Sequence, residues 1–507
     1  MKLYKIYIAA FLVLVGTGCK KDFLDVNTNP NALPTATPAY VLANAINTSA
    51  SSLVGVNETG MFWSGHWTQS NGYIISTTLF AYNFTNGDFN YWDGTYDNLY
   101  DYQYVIDNAK DAGQDFAKGP AKIMQAFNYQ KLVDLYGNIP FSEALKGVGA
   151  LAPKFDDQKA VYEGLITLLD AGIADVKANP FPSAFTASDV LFKGSSTNWI
   201  KFANSLKLRI LMRQSRISGR DAYIVTELNK TIAEGTGFLT TADAGVNPGY
   251  TPSAGQINPF YDTYGYSETG ARRANNNWPR FTEFTVNSLK NTGDTVRMKR
   301  LMYAAGNEDA ANPGVSAKAE IASNYVGIPF GSSAGFLPAV TSAPGPSVLV
   351  KGVYNKPFII MTAAEVQLNL AEAKQRYASV NLTGTAQSYF EAGVKESYRA
   401  LGATASDAAR LLSSGVDLVD FTASTDKLKA IAYQKWLALA NFNGLEAWSE
   451  YRKNGFPVTP QSKNYVTDAK RPVRLFYPGT ELGSNGANVN AQGTIDPLST
   501  RIFWDVD

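Results

Sequence analysis

Apolar positions recur at helical spacing over long stretches of the chain. Ile123, Ala126, Tyr129, Val133 and Tyr136 share one face, and so do Ala363, Val366, Leu370, Ala373 and Tyr377. Leu206, Ile210 and Leu211 mark a third stripe, and Leu428, Ala432 and Trp436 a fourth. Steps of three and four place these side chains along one side of an amphipathic α-helix. Asp156 and Asp157 stand just ahead of the stripe Val161, Leu165 and Leu168. There a carboxylate caps the first free N–H groups of a helix. Helices also recur as pairs with short breaks, 361–378 with 384–401 and 425–441 with 443–453. Pairs that stack by burying small and aromatic residues follow the logic of tetratricopeptide repeats. The pattern predicts a mainly α fold built on a tetratricopeptide-like helical-repeat scaffold.

Two regions interrupt this pattern. One is 56–104, where Trp63, Trp67, Tyr73, Tyr82 and Trp92 lie among glycine and asparagine. The other is 236–356, rich in Gly, Pro, Ser and Asn. Long irregular segments inside a domain are either disordered or functional, and aromatic residues argue for order. We expect residues 39–507 to form one domain, with a helical scaffold behind a large loop-rich face.

The first residues read as an address. Lys2 and Lys5 precede an apolar run from Ile6 to Val15, and small residues follow. This is the layout of a secretory signal peptide, here 1–18. The run is about half the length of a membrane-spanning helix. Cys19, the only cysteine, comes directly after it. The stretch resembles a lipobox, although Gly16 stands where an aliphatic residue is usual. Acylation of Cys19 would anchor the chain, because each buried methylene contributes about 0.8 kcal/mol. Residues 19–38, with the polar, proline-rich NTNPNALPTATP, then read as a tether to the folded domain.

Composition narrows the function. The formal net charge is +1 and no basic run stands out, so nucleic acid is not expected as a partner. One histidine, His66, and one cysteine leave no zinc site of several His or Cys ligands, and a serine triad would rest on His66 alone. Gly331-Ser332-Ser333-Ala334-Gly335 matches the spacing of a hydrolase elbow. That chemistry needs a strand before the serine and a helix after it, and FLPAVTSAPGP cannot begin a helix. Asn86, Asp88 and Asn90 alternate as in a calcium loop. Tyr91 replaces the required glycine and the twelfth position is Asp97, so no metal or other cofactor is expected. Glu365, Glu372, Glu446 and Glu450 could in principle serve a surface-anchored glycoside hydrolase. Their neighbours place them instead on solvated or helix-packing faces.

The binding candidates are loop aromatics beside polar groups. Flat rings bury the C–H faces of sugars while neighbouring amides and guanidinium groups bind hydroxyls. Trp63, Trp67, Gln69 and Tyr73 offer that mixture, and Asn276, Trp278 and Arg280 offer it again near Tyr261, Tyr264 and Tyr266. The same groups suit a peptide.

Six segments, taken in order, resemble the SusD/RagB family. They are DFLDVNTNPNA (22–32), AFNYQKLVDLYGNIPFSEAL (126–145), NWIKFANSLKLRILMR (198–213), IIMTAAEVQLNLAEAK (359–374), AYQKWLALANFNGLEAWSEYRKNGFP (432–457), and RPVRLFYPGTEL (471–482) with RIFWD (501–505). These segments read as scaffold. Lys20-Lys21-Asp22 after the cysteine resembles the surface-export signal of Bacteroidetes lipoproteins. The resemblance implies a lipid-anchored protein on the outer membrane of a Bacteroidetes cell, facing the exterior. It implies nutrient capture without catalysis, mostly of oligosaccharides and in some members of peptides. It also implies a SusC-like, TonB-dependent barrel transporter as partner, over which the protein closes as a lid. A structural adaptor that binds the transporter and no small ligand is the third reading.

Overall fold

The computed structural model describes residues 36–308, 316–465 and 471–506. The signal segment, Cys19 and most of the tether lie outside the described residues. Residues from Pro38 onward form one compact unit.

Among the described residues, eleven helices run nine residues or more. They are α1 (Pro38–Trp63), α2 (Asp93–Asn108), α3 (Lys118–Tyr136), α4 (Gln158–Ala178), α5 (Ser196–Arg213), α6 (Asp221–Ala233), α7 (Glu283–Asn291), α8 (Ala363–Arg376), α9 (Ala386–Ala400), α10 (Lys427–Leu439) and α11 (Gly444–Asn454). From α2 to α6 each helix packs on the next, and α8 packs on α9 and α10. α5 joins the two groups through α8, while α1 lies against α2 and α11. This is the pairwise stacking expected of helical repeats.

Local chemistry sets the helix ends. Asp157 caps α4, its carboxylate accepting from the N–H groups of Lys159 and Ala160. Its neighbour Asp156 does other work. It accepts from the N–H groups of Phe141 and Ser142 and closes the turn after α3. That turn starts at Gly137, whose φ of 79° stops the helix.

Three sequence readings are corrected. α1 begins at Pro38, the last residue of the supposed tether, because proline is preset for a helix's first turn. The break read at 56–104 is narrower, since α1 continues to Trp63 through Gly55 and Gly60. Gly60 is there for packing: a Cβ on it would sit 2.1 Å from the Gly444 carbonyl oxygen of α11. The 236–356 region likewise holds α7, the short helices Pro259–Tyr264 and Thr295–Leu301, and two strands.

Four short strands make two antiparallel ribbons. β1 (Trp67–Gln69) pairs with β3 (Pro279–Phe281), setting Trp67 opposite Phe281 and Thr68 opposite Arg280. β2 (Ala244–Val246) pairs with β4 (Phe358–Met361). The first ribbon stitches the two loop-rich regions together.

The scaffold core is charged as well as apolar. Arg209 and Arg213 of α5 are buried, and so are Glu365 and Glu372 of α8, Lys435 of α10, and Glu446, Glu450, Arg452 and Lys453 of α11. Asp134 of α3 completes the group. Arg209 grips both oxygens of Glu365 at 2.5 and 2.9 Å. Arg213 pairs with Glu446. Lys453 and Lys435 reach Glu372 at 2.8 and 3.1 Å, and each lies 3.1 Å from Glu450. Asp134 accepts from the Trp504 indole at 2.9 Å. The four glutamates are therefore not on solvated faces. They lie where helices meet, and neutralise cations that could not be buried alone.

Candidate functional site

The residues picked from sequence fall into three places. Trp63 is in the core. Its indole N–H donates to the Leu79 carbonyl at 3.1 Å, and its ring meets Phe89 and Trp448 edge-on, at centroid distances of 5.3 and 4.9 Å. Gln69 and Asn276 are buried and brace loops. Gln69 donates to the carbonyls of Tyr73 and Ile74, and its own amide oxygen accepts from the Ser76 N–H. Asn276 donates to the carbonyl of Tyr264 at 2.8 Å. Tyr261, Tyr264 and Tyr266 are also buried.

Tyr73 and Trp278 are the second place. Both are half-buried, and they meet edge-to-face with centroids 5.1 Å apart. The Tyr73 hydroxyl donates to the Ala274 carbonyl at 2.8 Å, and Trp278 rests on Phe62 beneath it. Ring pairs of this kind prefer edge-on contact, and both rings keep part of their surface exposed. Beside the pair is a cleft of about 700 Å³ lined by Arg272, Asn277, Arg280, Asn307, Glu308 and Leu337. The Arg280 side chain is buried and touches mostly carbonyls, donating to Pro279 at 2.8 Å, with Glu308 3.8 Å away. Burial lowers its pKa to about 10, against the opposing pull of Glu308. Burial likewise pushes the Tyr73 hydroxyl up, with Arg280 opposing. Sequence reasoning named Arg280 and the rings but missed Arg272 and Asn277. The only signal for them was adjacency, inside RRANNNWPR.

Trp67 is the third. It lies at the floor of a separate cleft of about 390 Å³, its indole N–H donating to Asn441 at 3.1 Å. Residues opposed across an antiparallel ribbon share a face, and neighbours along a strand do not. Trp67 and Arg280 therefore project from opposite faces of the β1–β3 ribbon.

The groups that could have supported catalysis are committed elsewhere. His66 is fully buried and stacks on Trp436 at 4.2 Å. Its Nε2 lies 2.9 Å from the Trp436 carbonyl, which only accepts, so Nε2 carries the proton and Nδ1 accepts from the Ser64 hydroxyl at 2.8 Å. Burial lowers its pKa to about 3. The Gly331–Gly335 segment forms turns, with no strand before the serine and no helix after it. Asp88 and Asn90 use their oxygens on N–H groups of their own loop. Among the described residues no group of His, Cys, Asp and Glu could hold a metal ion, and no helix is long and apolar enough to cross a membrane.

Comparison with solved structures places the fold. A chitin-binding SusD homolog from Flavobacterium johnsoniae aligns with a TM-score of 0.72 at 22% identity, covering 92% of this chain and 99% of that one. A SusD homolog from Bacteroides fragilis gives 0.74 at 19% identity, with 93% and 100% covered. One from Bacteroides uniformis gives 0.72 at 23%, with 92% and 100% covered. No curated protein matches the chain. The SusD-like family described as "starch-binding associating with outer membrane" matches residues 30–478. With that match over most of its length, the chain belongs to the SusD-like family, whose members are nutrient-binding proteins of the outer membrane and not enzymes.

Proposed function

We propose that this protein is a lipid-anchored receptor on the cell surface that captures an oligosaccharide and delivers it to a TonB-dependent barrel, closing over it as a lid. The observation that carries this reading is the half-buried pair Tyr73 and Trp278, Trp278 next in the chain to Asn277 and Tyr73 linked by charge to Arg280, two residues that line the 700 Å³ cleft. The exposed parts of the two rings suit the C–H faces of sugar rings. Arg272, Asn277 and Asn307 alongside suit their hydroxyls. Of the residues named from sequence, Tyr73 and Trp278 touch the ligand in this reading. Gln69, Asn276 and Arg280 hold the loops that carry them, and Trp63 supports the whole from the core. Both the starch-binding description of the family and the chitin-binding homolog favour a glycan over a peptide.

The test is native gel retardation of the full chain, purified in detergent, through gels cast with amylopectin, glycol-chitin or another polysaccharide. We expect retardation by one glycan without its breakdown, and its loss in the double variant Tyr73→Ala/Trp278→Ala. Retardation that survives the double variant would move the site elsewhere. Breakdown of the glycan would refute capture without catalysis. Lipidation is tested separately: wild-type chain should incorporate labelled palmitate and Cys19→Ser should not.

A further inference from the structure

The cleft floored by Trp67 differs chemically from the one beside Tyr73. Its walls are largely apolar, with Phe260 and Phe442 half-buried and the Phe260 ring 6.1 Å from that of Trp67. Two cations line this space, Lys356 with no carboxylate beside it and Arg300 with only the exposed Asp407, whose pKa it helps to lower, in the neighbourhood. Arg300 donates to the Gly402 carbonyl at 2.6 Å, and Lys356 donates to the carbonyls of Ser347 and Pro346 at 2.6 and 3.1 Å. Neither forms an ion pair among the described residues. Ser347 holds the two together: its N–H donates to the Arg300 carbonyl at 3.2 Å, and its own carbonyl accepts from Lys356. The Ser347 hydroxyl, on the same wall, is buried and has no hydrogen-bond partner.

The acids of the cleft do not answer these cations. Asp243 is engaged by Arg399 at 2.7 Å. Glu58 accepts from the Tyr264 hydroxyl, and burial pushes its pKa up. Burial also pulls the Lys356 ammonium down. A partly buried cation that meets only carbonyls is poorly compensated, and charge-assisted bonds to an anion are stronger than those to neutral oxygens.

The geometry points to a second ligand site here, one that takes a small ring compound bearing a carboxylate. The ring lies between Phe260 and Phe442 over Trp67. The carboxylate bridges Arg300 and Lys356. A cleft of 390 Å³ falls within the range of small-molecule sites. The β1–β3 ribbon separates it from the glycan platform, so the site stands whether or not that reading does.

The test is isothermal titration calorimetry of the full chain in detergent with galacturonate, phenylacetate and galactose. We expect one or both acids to bind with a Kd below about 1 mM and galactose not to bind here. Preference for galacturonate marks a sugar acid and preference for phenylacetate an aromatic acid. Lys356→Gln should weaken binding about tenfold while Lys356→Arg retains it. Tyr73→Ala should leave it unchanged, which keeps failure of this site distinct from failure of the glycan platform. The melting temperature of each variant guards against a folding defect. Absence of heat with both acids, or binding indifferent to Lys356→Gln in a folded variant, would overturn the proposal.

Discussion

In the helical scaffold five cations and five carboxylates neutralise one another out of water. In the cleft beside α1, the hydrogen bonds of Arg300 and Lys356 among the described residues go to carbonyl oxygens. The scaffold group is Arg209, Arg213, Lys435, Arg452 and Lys453 with Asp134, Glu365, Glu372, Glu446 and Glu450. Each ion taken out of water loses solvation worth several kcal/mol, recovered only by close partners and further hydrogen bonds. A balanced cluster is thus a structural device that ties five helices in one register. An unbalanced pair at the rim of a cleft has an unmet demand for an anion. Charged residues alone do not mark a site; their degree of compensation does.

The comparison breaks most visibly if one scaffold partner is removed. Glu372→Gln leaves Lys435 and Lys453 sharing only Glu450, and we expect a loss of about 3–5 kcal/mol in chemical denaturation. A loss below about 1 kcal/mol would mean the cluster is hydrated and not a core. Acid probes the same device. Burial works against ionisation of Glu450, but Lys435, Lys453 and Arg213 outweigh it and hold its pKa near 2, while Glu372 is held well below the usual range. Depressed carboxylates stabilise the fold above the unfolded pKa of about 4.3, and that contribution disappears as pH falls toward 2. Melting temperature should therefore fall steeply below about pH 5, and less steeply in Glu450→Gln.

Trp63 and Trp278 sharpen the contrast between core and face. Trp63→Ala should destabilise by about 3–5 kcal/mol through the cavity it leaves. Trp278→Ala should cost far less stability but weaken glycan binding about tenfold, or about 1.4 kcal/mol. Affinity electrophoresis beside thermal melting separates the two. If Trp278→Ala melted like Trp63→Ala, the ring would be a core residue and the platform reading would fall.

The same pair shows what was legible in the sequence. Period alone revealed α3, α8 and α10, because Val133, Leu370 and Trp436 recur on buried stripes. It misplaced the end of α1, since GVNETG reads as a break until Gly60 is seen against the backbone of Gly444. Trp63 was consequently grouped with loop aromatics although it closes a helix. The glutamates were left between solvated and helix-packing faces for a related reason, and the structure selects the second. A carboxylate on a helix looks the same in sequence whether water or another helix covers it, and Glu365 meets Arg209 across 156 residues. Tyr73 and Trp278 were legible as candidates because aromatics in polar loops are unusual. The cleft of Arg300 and Lys356 was not, since its lining comes from seven separate segments with no local pattern.

A lone buried lysine gives the finest test. Lys131 of α3 is as buried as Lys435, yet among the described residues its ammonium reaches only the Ser52 hydroxyl, at 3.1 Å. Burial alone lowers its pKa to about 7, whereas Lys435, with Glu450 and Glu372 beside it, is raised despite burial. When the folded pKa of a lysine is depressed, the unfolded chain binds more protons between the two values, so stability rises with pH across that window. Lys131→Met removes the titration and keeps most of the volume. We expect it to be more stable than the wild type by about 1 kcal/mol at pH 6, because the wild type there must bury an uncompensated charge. The gap should close as pH rises from about 7 toward the ordinary lysine range. Denaturant midpoints of both proteins across that range decide it. A gap that did not change with pH would show that Lys131 stays charged in the fold, and that hydration compensates it as the carboxylates compensate Lys435.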